Sequence, residues 1–258
     1  MRTGRELSIA AHRRALCAAV MAGFLVSVAA ACNRSAGAAA PFSSARITRD
    51  GRDAFTVIDQ TAGARASTPS DPGSASVTGL RTNVGQNSRF VFGNTWTTSR
   101  DQQSCATVAS DSGPIDQEGL ALRITTRSDG SARAVVFGKN VFLGVTAAFN
   151  VYGMDGSNAR TPFVELGFHD YRNLDGGRIQ IRVPYTMCAR VVGNVFTAKV
   201  WHPDRTREPA WNDRNSVFSL TLPAAWVGTG SAGYYFGHLR ADDTITYTNM
   251  RSLTATFG

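Results

Sequence analysis

Polar side chains recur at alternate positions of two successive predicted strands, 162–169 and 178–183. They are Glu165 and His169 on the first strand and Arg178, Gln180 and Arg182 on the second. Because alternate residues of a strand face the same side, we expect all five on one sheet face, with Gly167 leaving an open floor. Such a set could bind the hydroxyls or carboxylates of a sugar. An ordinary solvated sheet face, with Glu165 and an arginine as cross-strand partners, explains the same pattern.

The other residues that could do chemistry form no catalytic or cofactor-binding motif. Three histidines fall on different predicted elements, without the spacing of a zinc site: His169, His202 and His238. The pair Asp242-Asp243 could contribute to a structural calcium site, although a tight turn explains the same two aspartates. We therefore predict no cofactor and no metal site, with a structural calcium ion as the open alternative.

The first 31 residues have the organisation of a secretory signal. Four arginines and one glutamate precede an apolar run of 17 residues, Ala15–Ala31, which ends in Ala-Ala-Ala. The run is shorter than the ~20 residues that a permanent membrane-spanning helix needs. A basic start, a short apolar run and a small-residue exit are typical of a signal peptide, and a membrane anchor is the alternative. We predict that residues 1–31 direct the protein out of the cytoplasm.

Cys32 follows this run directly and resembles the lipidated cysteine of bacterial lipoproteins. Ala29 stands where those signals usually carry leucine, and ordinary cleavage after Ala31 is the alternative. Residues 33–44 are mostly Ala, Ser and Gly, so they cannot bury enough surface to offset their ordering entropy. We predict a tether over residues 32–54, with membrane contact through a lipid if Cys32 is modified.

The remaining cysteines are Cys105 and Cys188, because Cys17 lies inside the predicted signal. Two cysteines in an exported domain favour one disulfide, and two separate buried thiols are the alternative.

The net charge of +8 does not by itself indicate which class of molecule the protein binds. Of the 27 basic and 19 acidic residues, four and one lie in the first 31 positions, which leaves 23 and 18 in the remainder. The arginines are scattered singly, without the runs or aromatic interleaving of a nucleic-acid-binding face. We predict no nucleic-acid partner and at most a mild attraction to anionic polymers.

Short alternating runs, punctuated by Gly, Asn, Asp and Thr every eight to twelve residues, predict an all-β fold over residues 55–258. The pattern is densest over residues 88–257. The predicted strands are 119–125, 132–137, 143–152, 162–169, 178–183, 187–192, 195–201, 216–220, 233–239 and 244–253. Gly193-Asn194 marks a two-residue hairpin turn, and a single helical turn is expected around Pro223–Val227. Nothing indicates a second domain.

The segment Arg190–Trp201, followed by Glu208-Pro-Ala-Trp211, resembles the concanavalin-A-like lectin and glucanase domains of bacterial secreted proteins. Gly233–Gly237 and Tyr247–Arg251 occupy the places of two later strands of that family. The resemblance covers about residues 88–257 and implies an antiparallel jelly-roll β-sandwich. The resemblance indicates little about function, because this architecture occurs in lectins, glycosidases, lyases and adhesive modules.

The residues present support neither of two enzymatic activities that occur in that architecture, hydrolysis by retaining glucanases and elimination by polysaccharide lyases. Retaining glucanases need two carboxylates about 5–5.5 Å apart, and no two of the four glutamates of this chain lie close in sequence. Strand motifs similar to those of the alginate-lyase-like family occur in order at Val164–Phe168, Gln180–Arg182 and Tyr235–His238. They lack the proton-transfer groups, since Arg182 stands where that family has a histidine.

The strand Val195–Trp201 has two distinct faces. Phe196, Ala198 and Val200 are predicted to face the core, whereas Thr197, Lys199 and Trp201 face solvent or a covering loop. Trp201 is a candidate for stacking on a sugar ring, and the alternative is that Trp201 and Trp211 clamp the loop between them against the sheet.

These patterns together predict an exported glycan-binding or envelope-interaction module whose partner is a glycan or a cell-envelope polymer. The predicted ligand-binding residues are Glu165, His169, Arg178, Gln180, Arg182 and Trp201. A divergent polysaccharide lyase and a structural or adhesive surface protein without a small ligand are the alternatives.

Overall fold

The protein is described here by a computed structural model, which covers residues 46–49, 55–60, 64–67, 73–79, 89–94, 98–140, 148–158, 161–175 and 181–256. Its strands in chain order are β1 (Arg46–Arg49), β2 (Phe55–Gln60), β3 (Ala64–Ser67), β4 (Ala75–Gly79), β5 (Arg89–Asn94), β6 (Asp101–Asp111), β7 (Gln117–Thr126), β8 (Ala132–Asn140), β9 (Ala148–Asp155), β10 (Phe163–Asp170), β11 (Tyr185–Val192), β12 (Val195–Trp201), β13 (Val217–Thr221), β14 (Ser231–Gly237) and β15 (Thr244–Thr256). Two single 3₁₀ turns, Arg172–Asp175 and Ala224–Trp226, complete the described elements.

The strands form two antiparallel sheets. Sheet I has the order β13-β12-β11-β6-β15-β4-β3, with β1 also paired to β15, and sheet II has the order β10-β9-β8-β7-β14-β5-β2. In both sheets a strand from the C-terminal end lies between strands from the first half of the chain: β15 between β6 and β4, and β14 between β7 and β5. This interleaving is the jelly-roll β-sandwich that the sequence predicts, and the fold prediction is confirmed.

The core lies between the two sheets, because every second residue of each strand points inward. Sheet II contributes Leu120 and Phe149, and sheet I contributes Met187 and Phe196, all with no exposed surface. Burying each such side chain stabilises the fold by about 1.5–3 kcal/mol. The inward residues therefore define which side of every strand is the outer one.

Most predicted strands agree with the observed ones, but the six observed strands β1 to β6 were not among those predicted. Three of the differences have physical causes. Strand β6 was not predicted, because its polar run Gln102-Gln103-Ser104 hides a central strand that is buried between β11 and β15. Strand β1 lies within the predicted tether, and that prediction is wrong for these four residues because their backbone pairs with β15. Residues 181–184 are irregular rather than the end of a strand.

The predicted disulfide joins Cys105 to Cys188, which are Cα partners on the paired strands β6 and β11, 4.2 Å apart. The Gly193-Asn194 turn is also observed, with Gly193 at a φ of 57°. No helix in the described ranges is long and apolar enough to cross a membrane. The predicted signal peptide and Cys32 lie outside the described residues.

Candidate functional site

The faces of β10 are decided by a β-bulge at its centre. Glu165 pairs with Tyr152 and Gly167 pairs with Val151, so Leu166 is an extra residue without a partner on β9. A bulge shifts the alternation by one residue, and the side chains on either side of it change face. Glu165 therefore points to the outer side of sheet II and His169 to the inner side.

His169 is thus not part of the surface that carries Glu165, and the prediction that they share a face is wrong. The His169 ring stacks on Phe218 with the ring centroids 5.0 Å apart, and it meets the Tyr171 ring edge-on at 4.6 Å. Burial lowers the pKa of His169, and the nearby negative charge of Asp170 opposes that shift only in part. An imidazole in this environment fills the rim of the core.

The outer side of β9 and β10 holds four side chains that we call the β9–β10 patch: Asn150, Tyr152, Glu165 and Phe168. Glu165 lies opposite Tyr152, and Phe168 lies opposite Asn150, so the four form two neighbouring cross-strand pairs. Asn150 Nδ2 donates a hydrogen bond to Glu165 Oε2 over 2.7 Å. Phe168 is 61% exposed. A large exposed aromatic ring therefore borders a fixed amide–carboxylate pair.

Tyr152 connects this patch to the middle of the sheet. Its ring is half-buried and lies 5.5 Å from the Phe163 ring, which in turn is 6.0 Å from Tyr235. Burial, with a smaller contribution from the negative charge of Glu165, raises the pKa of Tyr152 to about 12. The phenol is therefore neutral at physiological pH, with a hydroxyl that is able to donate a hydrogen bond.

Tyr235 on β14 lies over Gly119 of the neighbouring strand β7 and beside Gly237 of its own strand. A Cβ atom on Gly119 would be 3.1 Å from Tyr235 Cδ1 and 2.7 Å from the Phe137 carbonyl oxygen. A Cβ atom on Gly237 would be 2.2 Å from the Tyr235 hydroxyl oxygen. The absence of side chains at these positions is what lets the tyrosine ring lie close to the sheet.

The other predicted ligand-binding residues do not join this patch. Arg178 and Gln180 lie outside the described residues. Arg182 is exposed and its Nη2 lies 3.8 Å from Asp204 Oδ2, while its backbone N–H donates to Asp175 Oδ2 over 2.6 Å. That arginine thus lies in an irregular segment held by Asp175, and the prediction that it occupies a strand beside β10 is wrong.

Trp201 lies on the outer side of the other sheet and is only 5% exposed. It packs against the Cys105–Cys188 disulfide together with Trp211. Lys199 Nζ lies 4.2 Å from the centre of the Trp211 ring and donates to the Pro209 carbonyl oxygen over 2.5 Å. Trp201 has no ring face available for a sugar, so the stacking prediction is wrong, and its contacts are those of a loop clamp.

Asn150, Tyr152 and Phe168 belong to the β9–β10 patch but are not among the predicted ligand-binding residues. Asn150 and Tyr152 are alternate residues of the predicted strand 143–152, so their spacing alone indicates that they lie on the same face of the sheet. The missing information was the pairing of that strand with β10.

Asp242 and Asp243 lie in a turn, where Asp243 Oδ2 accepts a hydrogen bond from the Arg240 backbone N–H over 3.1 Å. Within the part of the chain that the structure describes, no three His, Cys, Asp or Glu side chains are placed to hold a metal ion.

No protein-family model and no curated protein matches the sequence. Several solved structures have a similar arrangement of strands. The carbohydrate-binding module CBM66 from Bacillus subtilis is 10% identical, over 77% of this chain and 94% of that chain, with a TM-score of 0.48. A Bacillus subtilis protein of unknown function with a galectin-like fold is 10% identical, over 84% and 91%, with a TM-score of 0.48. A lectin from Bauhinia forficata in complex with GalNAc is 12% identical, over 83% and 99%, with a TM-score of 0.46. These likenesses concern the fold alone.

Proposed function

We propose that this chain is an exported carbohydrate-binding module whose glycan binds at the β9–β10 patch. The observation that carries the proposal is the exposed Phe168 ring next to the hydrogen-bonded Asn150–Glu165 pair. Binding sites for small polar ligands combine an apolar surface with a few fixed polar groups, and these side chains supply both.

A sugar ring has an apolar face of C–H groups and a rim of hydroxyls. Phe168 offers the flat surface on which the apolar face can stack. Glu165 can accept hydrogen bonds from hydroxyl groups, and Asn150, which is only 4% exposed, holds that carboxylate in place from beneath the surface. Because the amide and the carboxylate already hold each other, little side-chain entropy is lost when the ligand arrives.

The charge of the patch favours a neutral glycan. Glu165 is an exposed carboxylate, and Arg182, which was predicted to share its sheet face, lies near Asp204 instead. A uronate or sulfate group at the patch would meet a like charge, which disfavours binding. We therefore expect neutral oligosaccharides to bind in preference to acidic ones.

The test is a glycan array that carries neutral and acidic oligosaccharides, probed with residues 32–258 after the disulfide has formed. We expect hits among the neutral glycans. A blank array from protein with a folded circular-dichroism spectrum would contradict the proposal and favour a scaffold or adhesive role.

Export and anchoring belong to the same proposal. The basic start and the apolar run before Cys32 support secretion through the membrane and attachment of a lipid to that cysteine. The mature protein would then present the patch to glycans of the cell envelope. Detergent-phase partitioning of the wild type and of Cys32→Ser tests the anchor, with the wild type expected in the detergent phase and the variant in the aqueous phase. An unmodified Cys32 at the mature N-terminus would contradict lipid attachment.

A further inference from the structure

A lysine lies between two carboxylates inside the sandwich. Lys139 Nζ is 2.6 Å from Asp111 Oδ2 and 2.8 Å from Glu118 Oε1. The Tyr185 hydroxyl donates to the other oxygen of Glu118 over 3.1 Å. Glu118 and Lys139 lie on the neighbouring strands β7 and β8 of sheet II, whereas Asp111 lies at the end of β6 in sheet I. One amine therefore contacts carboxylates from both sheets.

These groups are withdrawn from water. The side chain of Glu118 has no exposed surface, that of Lys139 has 3%, and that of Asp111 has 13%. A buried ion pair pays a large desolvation cost, so it is weak evidence for a purely stabilising role. Exclusion of water also removes the solvent that opposes condensation of an amine with a carboxylate.

The choice of lysine at this position is unusual for this chain. Its 27 basic residues include only two lysines, Lys139 and Lys199, and all the others are arginines. Arginine is the usual residue for a buried ion pair, but its guanidinium group stays protonated and is not a nucleophile. A lysine amine can lose its proton in a desolvated site and attack a carbonyl carbon.

We propose that Lys139 and Asp111 condense to form an amide bond between their side chains, with Glu118 as the group that transfers the protons. The bond would join β6 of sheet I to β8 of sheet II. It is a self-catalysed modification of the folded chain, independent of the proposed glycan site.

The condensation balances without a co-reactant. The Lys139 ammonium passes one proton to Glu118, and the free amine attacks Cγ of Asp111 while Glu118 returns that proton to an Asp111 oxygen. Glu118 then takes a proton from the nitrogen and gives it to the departing hydroxyl group. The C–N bond forms, the C–O bond breaks and one water molecule leaves. An ammonium and a carboxylate become a neutral amide, and Glu118 ends in its starting state.

The electrostatics of the cluster support this division of roles. Burial raises the pKa of Glu118 well above its ordinary value, and the proximity of Asp111 adds to that shift, which suits a group that must hold a proton temporarily. The two carboxylates raise the pKa of Lys139 despite its burial, so the ammonium form is the resting state and proton transfer must precede the attack. The pKa of Asp111 is lowered, although burial opposes the shift, by its contacts with Glu118 and Lys139.

Lys199 is an internal control. Its Nζ lies 2.8 Å from Glu208 Oε1, but the Glu208 side chain is 39% exposed and also pairs with Arg251. In the part of the chain that the structure describes, Glu208 is the only carboxylate that pairs with Lys199, so no second one is present to carry protons. We expect Lys199 to remain a free amine.

The experiment is peptide mass spectrometry of the purified full-length protein after reduction, alkylation and trypsin digestion. A free Lys139 gives a cleavage after this residue, whereas a linked Lys139 gives a branched peptide of residues 101–123 and 134–160 with the summed mass less one water. We expect the branched peptide from the wild type and its loss in Glu118→Gln, Asp111→Ala and Lys139→Arg. Complete cleavage after Lys139 in the folded wild type would overturn the proposal, and no variant needs to fold for that result.

Fragmentation of the branched peptide locates the bond. A linkage to Asp111 supports the proposal, whereas a linkage to Glu118 would overturn the assignment of the two carboxylates. Persistence of the linkage in Glu118→Gln would overturn the proton-transfer role of Glu118.

Discussion

Asn150 on β9 donates a hydrogen bond to Glu165 on β10, with 2.7 Å between Nδ2 and Oε2. The two residues are diagonal neighbours across the strand pair, because Glu165 lies opposite Tyr152 and Phe168 lies opposite Asn150. This bond orients the carboxylate next to the exposed Phe168 ring. The register of β9 and β10 therefore determines how the Glu165 carboxylate is held for the proposed glycan binding.

We predict that Phe168→Ala weakens glycan binding about fivefold, since an aromatic stacking contact contributes roughly 1 kcal/mol. Glu165→Gln should also weaken binding, because the amide is a poorer hydrogen-bond acceptor than the carboxylate. Titration calorimetry with a glycan identified on the array measures both effects.

The matched control for this prediction is Val164→Ala. Val164 is 55% exposed on the same strand but pairs with Gly153 and points to the other side of β10. Equal losses of affinity in Phe168→Ala and Val164→Ala would show that the patch is not the binding site.

Gly119→Ala should destabilise the fold by about 1–3 kcal/mol, the usual cost of forcing an atom into packed space. The added Cβ would approach the Phe137 carbonyl oxygen to 2.7 Å and the Tyr235 ring to 3.1 Å. Chemical denaturation measures the change in the free energy of unfolding. Gly228→Ala is the control, because nothing lies within 4 Å of a Cβ atom there. A neutral Gly119→Ala would contradict the close packing of Tyr235 on the sheet.

Removal of the disulfide should lower the free energy of unfolding by about 4 kcal/mol, as the chain-entropy estimate for a long loop predicts. Cys105 and Cys188 are separated by 83 positions, so the bond restricts a large part of the unfolded chain. The measurement compares the wild type with the Cys105→Ala, Cys188→Ala double variant in denaturant. A reducing agent should destabilise the wild type and leave the double variant unchanged. Equal sensitivity of the two proteins to the reductant would be inconsistent with this account.

Because the pKa of Asp116 is raised in the folded state, we predict that the free energy of unfolding falls as the pH rises. Burial, together with the negative charges of Asp111 and Asp243, raises the pKa of Asp116 from 3.8 to about 8. The folded state therefore binds a proton that the unfolded state releases, and its contribution to stability is present below about pH 4 and is lost progressively towards pH 8.

Burial is the largest cause of this shift and does not depend on the charge of Asp111, so the prediction holds whether or not Asp111 is linked to Lys139. The denaturation midpoint of the wild type should decrease more between pH 5 and pH 8 than that of Asp116→Asn, which cannot ionise. Parallel decreases in the two proteins would assign the pH dependence to other groups.

Local patterns were sufficient for much of the fold. The alternation in Val195–Trp201 correctly separates the core residue Phe196 from the outer residue Trp201, because the side-chain period of a strand is two wherever pairing is regular. Gly193-Asn194 correctly marks the hairpin turn, since a two-residue loop needs positive φ and few residues supply it. Cys105 and Cys188 are the cysteines left once the predicted export signal is set aside, and they form the disulfide.

The functional surfaces depended on tertiary structure, because they are set by how distant strands meet. The bulge at Leu166 exists only relative to β9, and it places Glu165 and His169 on opposite faces although their spacing in sequence puts them on one. Asp111, Glu118 and Lys139 come from three strands in two sheets, and no spacing along the chain indicates that one amine lies between two carboxylates. Strand pairing and sheet packing act between residues far apart in sequence, so they decided both the binding patch and the buried lysine cluster.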